Sequence, residues 1–137
     1  MQVSEEALRS PEPFVEFIGA RWLPDGEEGH QVLLQLRPQL CNKWAVAHGG
    51  VIMTLLDVVM ARACRLADPQ GRPALTMEMK SSFVRPGTGA LRAGGKCLHH
   101  GRTSAFAEAR LLDESGQLLA FASGTFRFVT PRQDERS

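Results

Sequence analysis

Apolar and polar positions change period several times along the chain, and the changes mark its elements. Residues 30–37 are mostly period two and close on Pro38, as expected of a strand. From Gly49 to about Ala67 the pattern lengthens to that of a helix rich in good helix formers, Leu55, Leu56, Met60, Ala61 and Ala63 among them. Asp68-Pro69-Gln70-Gly71 stops it. Residues 74–84 alternate Leu75, Met77 and Met79 against Thr76, Glu78 and Lys80, and break at Arg85-Pro86-Gly87. Further strands are expected at 90–98, with Gly94-Gly95 marking a bulge or a close backbone approach, at 104–112, and at 117–129 beyond the turn Asp113-Glu114-Ser115-Gly116. Upstream, Pro11 to Ile18 predicts a short helical turn that lays Phe14, Phe17 and Ile18 on the body. Gly19 ends it, Asp25-Gly26 and Gly29 read as turn residues, and 40–47 as a loop.

The long helix spans roughly 27 Å at 1.5 Å per residue. Its apolar residues, Val51, Ile52, Leu55, Leu56, Val58, Val59 and Met60, are not confined to one stripe, so it needs cover on several sides, which a wrapping sheet supplies. The strands after it follow one another without intervening helices and must pair antiparallel. The predicted fold is therefore α+β, an antiparallel sheet wrapped around one central helix. A chain of 137 residues suits a single domain, at 11–130, between a flexible segment at 1–10 and a polar tail at 131–137.

Composition narrows the function. With 43% apolar residues the chain can build a core, and 16 basic against 15 acidic side chains give no field for non-specific nucleic-acid binding. The acidic start lacks a secretory signal's order, and Asp57, Arg62 and Arg65 interrupt the best apolar run, so neither export nor membrane insertion is expected. Cys41, Cys64 and Cys97 are far apart in sequence and form no CxxC pair, which fits a reducing cytoplasm rather than a zinc knuckle or redox dithiol. His99-His100 has no correctly spaced partner ligands, so no metal site is predicted. Cys64, in the helix, reads as core filling rather than a nucleophile.

The candidate chemistry sits where the long helix begins. Gly49 and Gly50 let a ligand approach the backbone, and first-turn N–H groups lack intrahelical acceptors. A thioester carbonyl oxygen, which gains charge as a nucleophile adds, suits such donors, and the Asn42 amide offers a second. Alternatively, the glycines serve helix packing and Asn42 a local turn. Asp57 is the outlier, a carboxylate between Leu56 and Val58 in an apolar helix. It lies eight residues from Gly49, roughly 12 Å along the axis, whereas a base must come within about 3 Å of the atom it serves. If both act on one carbonyl, they come from two copies of the chain in a two-fold pair.

Taken together, Asn42-x-x-Ala45-x-x-His48-Gly49-Gly50, Leu56-Asp57, Phe83-x-Arg85-Pro86-x-x-Gly89 and His100-Gly101-Arg102 resemble the hotdog-fold acyl-CoA thioesterases of the phenylacetic-acid degradation type. The resemblance covers about residues 40–129 and implies the same sheet-around-helix fold. It further implies hydrolysis of an acyl-CoA to free acid and CoA, with no cofactor beyond the CoA of the substrate, by dimers often paired into tetramers. Asn42 and the Gly49 N–H would then hold the carbonyl, His48 would organise the loop, and Thr76 would orient the attacking water. Asp57 of the partner subunit would act as base or nucleophile. One departure stands out: the family usually carries glycine where this chain has Ala45, and positive φ there would cost about 1 kcal/mol.

Further binding candidates are Gly50, Trp44 and Met53 for the acyl pocket, and Arg85, Gly101 and Arg102, with Lys80 or Arg92, for CoA phosphates. Each arginine is equally a solvent-facing charge, and Gly101-Arg102 a plain hairpin turn. Competing readings are a hotdog hydratase or dehydratase, a non-catalytic acyl-CoA sensor, and a purely structural hotdog subunit.

Overall fold

A computed structural model describes residues 2–4 and 12–132, so most of the two terminal segments expected at 1–10 and 131–137 lies outside the described residues. In chain order the elements are β1 (Gln2–Ser4), α1 (Pro13–Ile18), β2 (Arg21–Gly26), β3 (Gly29–Gln35), a 3-10 turn (Pro38–Leu40), α2 (Gly49–Ala67), β4 (Ala74–Phe83), β5 (Ala90–His100), β6 (Ser104–Leu112), β7 (Leu118–Phe128) and β8 (Thr130–Arg132). Six strands form one antiparallel sheet in the order β2-β3-β5-β6-β7-β4, while β1 and β8 make a separate parallel pair. The sheet curls around α2, which is the hotdog fold.

The seat of α2 is cut by small residues. Ala93 of β5, Ala105, Ala107 and Ala109 of β6, and Ala120 and Ala122 of β7 are buried under the helix. At Gly95 the approach is closest, since a Cβ there would lie 2.6 Å from the Val59 carbonyl oxygen. The Gly94-Gly95 pair therefore marks backbone contact, and the β5 bulge falls later, between Cys97 and His99.

The sheet buries one stripe of α2: Ile52, Leu55, Leu56, Val59, Met60, Ala63 and Cys64, at i, i+3, i+4 spacing. Val51, Met53, Val58 and Ala61 are left half-buried or exposed. Met53, Asp57 and Ala61 follow at four-residue steps, so the carboxylate stands on this second, uncovered face.

Three expectations change. The stretch read as turns around Asp25-Gly26 is a hairpin, with β2 running from Arg21 and pairing with β3; Pro24 and two glycines obscured its period. Helix α1 forms, but it buries Val15 and Ile18, leaving Phe14 60% and Phe17 74% exposed. Finally, a bulge between Thr76 and Glu78 breaks the β4 alternation. Thr76, paired with buried Phe126, and Met79, paired with Gly124, face the helix, and Met77 is 56% exposed instead of packing on it.

Candidate active site

The loop before α2 is a small hydrogen-bonded cage. Asn42 Oδ1 accepts the N–H groups of Trp44 (2.9 Å) and Val46 (3.4 Å), and the Asn42 backbone N–H bonds the Val46 carbonyl at 2.8 Å. The Asx turn and the donor role are thus compatible: with Oδ1 facing two N–H groups, the amide orientation is set, and both Nδ2 hydrogens remain unspent among the described residues. Closing the cage requires a left-handed residue, and Ala45 supplies it at φ 61°. No other non-glycine among the described residues has positive φ.

His48 caps the helix. Its Nδ1 accepts the Gly50 N–H at 2.9 Å, so the neutral ring keeps its proton on Nε2. The His48 carbonyl takes the N–H groups of Val51 and Ile52. Gly50 is thereby removed as a free donor, and among the described residues the Gly49 N–H has no acceptor. Asn42 and Gly49 line one open pocket of about 370 Å³ with Ile52, Phe83 and Arg85. Phe83, which the sequence marks only as the first residue of Phe83-x-Arg85-Pro86, has its ring 3.8 Å from where a Gly49 Cβ would stand. The β4 bulge brings it there by fixing the parity of the strand end.

Eight residues on, Asp57 Oδ1 accepts the Thr76 hydroxyl at 2.5 Å. Thr76 thus orients the carboxylate itself, and the bulge is what turns it inward. Asp57 is absent from the pocket of Asn42 and Gly49.

The remaining candidates are scattered. Trp44 is 71% exposed and outside that pocket, and Met53 lies on the uncovered helix face, 39% exposed. Arg85 lines the pocket and donates to the Leu118 carbonyl at 2.8 Å. Gly101-Arg102 form the β5–β6 turn, closed by a 2.8 Å bond from the Gly101 N–H to the Ser104 carbonyl. The Arg102 carbonyl meets Arg72, just past the far end of α2, so one chain does not bring these residues to Asn42. Lys80 and Arg92 sit on β4 and β5, away from the pocket lining.

Two clusters had no sequence signal. Beyond α2 the buried Asp68 carboxylate receives the Arg72 Nε at 2.9 Å and backbone N–H at 2.7 Å, and contacts His100 Nε2 at 3.0 Å. The Arg72 side chain, then its backbone N–H and His100, hold Asp68 well below the usual carboxylate range, against the opposing effect of burial. The Arg72 guanidinium lies over Phe128, 4.7 Å from the ring centre. Cys64 and Cys97, distant in sequence, meet across α2 and β5. Burial first, then the Cys97 thiol, push Cys64 up to about 12, which makes it inert as a nucleophile. All three cysteines are free thiols.

Among the described residues no group of three or more histidine, cysteine or acidic side chains is placed to hold a metal, and no helix is long and apolar enough to cross a membrane.

The family model described as "Thioesterase superfamily" matches residues 45–120, more than half of the chain. The chain belongs to the thioesterase superfamily. This thioesterase is 26% identical over 130 residues to the medium/long-chain acyl-CoA thioesterase YigI of Escherichia coli K12, covering 83% of this chain and 84% of YigI. The BH2602 protein of Bacillus halodurans, whose structure was solved with CoA, superposes with a TM-score of 0.81 at 27% identity, over 93% of this chain and 85% of that one. The Escherichia coli PaaI protein of the phenylacetic acid degradation operon shares the fold, with a TM-score of 0.81 at 21% identity over 92% and 91% of the two chains.

Proposed function

We propose that this thioesterase hydrolyses acyl-CoA to the free acid and CoA at a site shared by two protomers. The Asn42 amide and the Gly49 N–H of one protomer receive the thioester oxygen, and Asp57 of the partner subunit acts on the carbonyl carbon. The observation that carries this reading is the pair of unspent donors, Asn42 Nδ2 and Gly49 N–H, on one mostly apolar pocket. Donors already in place where the oxyanion grows stabilise the transition state without reorganising.

Two-protomer sharing is supported by the axial separation of Gly49 and Asp57, roughly 12 Å, and by the uncovered α2 face on which Asp57 stands. A second copy packed there, as a dimer or a dimer of dimers, would cover Met53 and Ala61 and carry each Asp57 to the other protomer's pocket. The Asp57 carboxylate either takes a proton from water or attacks to form a mixed anhydride. The leaving thiolate needs little protonation, since an ordinary thiol pKa is about 8.5. His48, occupied as a helix cap, then has a structural part to play. Three free thiols fit a cytoplasmic location.

The test is thiol release across short, medium, long and aromatic acyl-CoA substrates. Wild-type turnover is expected to fall by about 10³-fold or more in Asp57→Asn, with the oligomer unchanged. Unimpaired turnover in that variant would reject the role of Asp57, and saturable binding without turnover by wild type would favour an acyl-CoA sensor.

A further inference from the structure

The inward side of β4 is a wall that runs from one end of the candidate site to the other. Thr76 donates to Asp57, and the Phe83 ring stands beside Gly49, so the strand runs antiparallel to α2. Between them Met79 and Ser81 face the same way, Ser81 paired with buried Ala122. β4 is also the last strand of the sheet, bonded to β7 alone among the described strands, so the wall is open on its far side.

Ser81 is out of place there. Its Oγ is shut off from solvent and has no hydrogen-bond partner, alone in this among the side chains of the described residues. A hydroxyl in that state has lost its hydration with no bond in return. Alanine fills the neighbouring inward positions of β7, Ala120 and Ala122, and would satisfy packing equally well at Ser81. The hydroxyl is also free to move. Ser81 as a whole is half-buried, and turning its side chain to another staggered position breaks no hydrogen bond. Thr76, by contrast, cannot turn without releasing Asp57.

Hydrolysis at a shared site needs one more acceptor. A water between a carboxylate and a carbonyl carbon aims its lone pair at the carbon only when both of its hydrogens are held. Oδ1 of Asp57 is fixed by Thr76, and Oδ2, with no partner among the described residues, can take one hydrogen. A carboxylate that reaches the pocket of Gly49 and Phe83 from the partner subunit comes within one strand repeat of Ser81, roughly 7 Å along β4. A serine hydroxyl and one water bridge that gap.

Resting on the thioesterase reading, we infer that Ser81 is a further catalytic residue. On assembly its hydroxyl turns outward and accepts the second hydrogen of the attacking water, whose first goes to Asp57 of the partner subunit. The water oxygen bonds to the carbonyl carbon as that proton moves to the carboxylate. The carbonyl electron pair shifts onto the oxygen held by Asn42 and Gly49, and returns as the C–S bond breaks. The leaving thiolate takes the proton back from Asp57, and the products are free acid and thiol. Ser81 thus belongs to the same half of the site as Asn42 of its own chain, although it shares a strand with Thr76.

Thiol release by Ser81→Ala tests the role. Its kcat is expected to fall about tenfold with KM unchanged, and to the same extent for short, long and aromatic acyl groups. Its melting temperature should not fall, because the deleted hydroxyl bonds nothing in the free chain. An unchanged kcat, a loss confined to one class of acyl group, or a lower melting temperature overturns the assignment. Placement is read from a refolded equal mixture of Ser81→Ala and Asp57→Asn chains. With Ser81 working beside Asn42 of its own chain, each mixed dimer keeps one complete site, and about a quarter of wild-type activity is expected. If Ser81 instead served Asp57 of its own chain, only about a twentieth would remain, and the assignment would fail. Heavy oxygen from labelled water found in Asp57 after a single turnover also overturns it, since the carboxylate would then have attacked directly. A wild type that releases no thiol overturns the hydrolase reading and this residue together, whereas turnover unaffected by Ser81→Ala removes Ser81 alone.

Discussion

At the scale of single residues, the site depends on side chains that hold others in place. Thr76 donates to the Asp57 carboxylate, which would otherwise be free to rotate on a half-exposed helix face. Thr76→Val removes a hydrogen bond to a charged group, worth about 1.5 kcal/mol, so kcat is expected to fall about tenfold with KM little changed. Thr76→Ser should restore it, and a matching rise in KM would show substrate contact instead of positioning. Ala45 makes the opposite case. Its left-handed backbone costs about 1 kcal/mol, only partly balanced by the larger unfolded-state freedom of glycine. Ala45→Gly should therefore raise the melting temperature by roughly 3 °C; a lower value in thermal denaturation would mean that the cage is unstrained. The sequence marks both residues and the cost of positive φ at Ala45, but not that Thr76 donates to Asp57 or that Ala45 takes that φ. The donor direction of Thr76 depends on a bulge, and the conformation of Ala45 on where Asn42 sends its side-chain oxygen.

At the scale of elements, α2 is held at both ends by different chemistry. His48 satisfies the Gly50 N–H at the start, and Asp68 collects Arg72 and His100 at the finish. Because the folded pKa of Asp68 is depressed, its contribution is fully present above its unfolded value and is lost as pH falls toward the folded one, here below about pH 4. Asp68→Asn is expected to cost about 3 kcal/mol at pH 7, as for breaking a buried pair. The gap to wild type in urea denaturation should narrow at pH 3, and a gap constant with pH would show that Asp68 carries no charge-dependent stability. The helix and its stop were readable from periodicity and from Asp68-Pro69. That Asp68 is buried and paired was not, because Arg72 and His100 arrive from a loop and a strand end set by the fold. Strand parity failed for the same kind of reason at Met77, where one bulged residue reverses what alternation implies.

At the scale of the whole molecule, the proposed sharing of the site between two protomers has an arithmetic consequence. Asp57→Asn and Asn42→Ala proteins are each expected to be inactive. In a heterodimer of the two, the Asp57→Asn chain provides an intact Asn42 and Gly49 to the intact Asp57 of the other chain, so one site of two is complete. Unfolding and refolding an equal mixture makes about half the dimers mixed and should recover about a quarter of wild-type activity in the thiol-release assay. Zero recovery from a demonstrably mixed dimer would place both groups in one protomer.

The sequence by itself determined the α+β class and the position of α2 and of the strands after it to within about two residues, and it singled out Asn42, His48, Gly49 and Asp57 as the candidates for the site. These follow from local rules: hydrophobic period, turn chemistry, and the cost of a carboxylate among apolar neighbours. Only the tertiary structure decided which donors are free and what shares a pocket with them. Whether Gly50 or Gly49 keeps an unpaired N–H depends on the rotamer of His48. Whether Asn42 is spent in its turn depends on which amide atom faces the loop. That Phe83 stands by Gly49, or that Cys64 meets Cys97, depends on strand register against a helix seated at Gly95. Spacing along a chain measures distance only within an element. Between elements, distance is set by packing, and the chemistry of this site lies between elements.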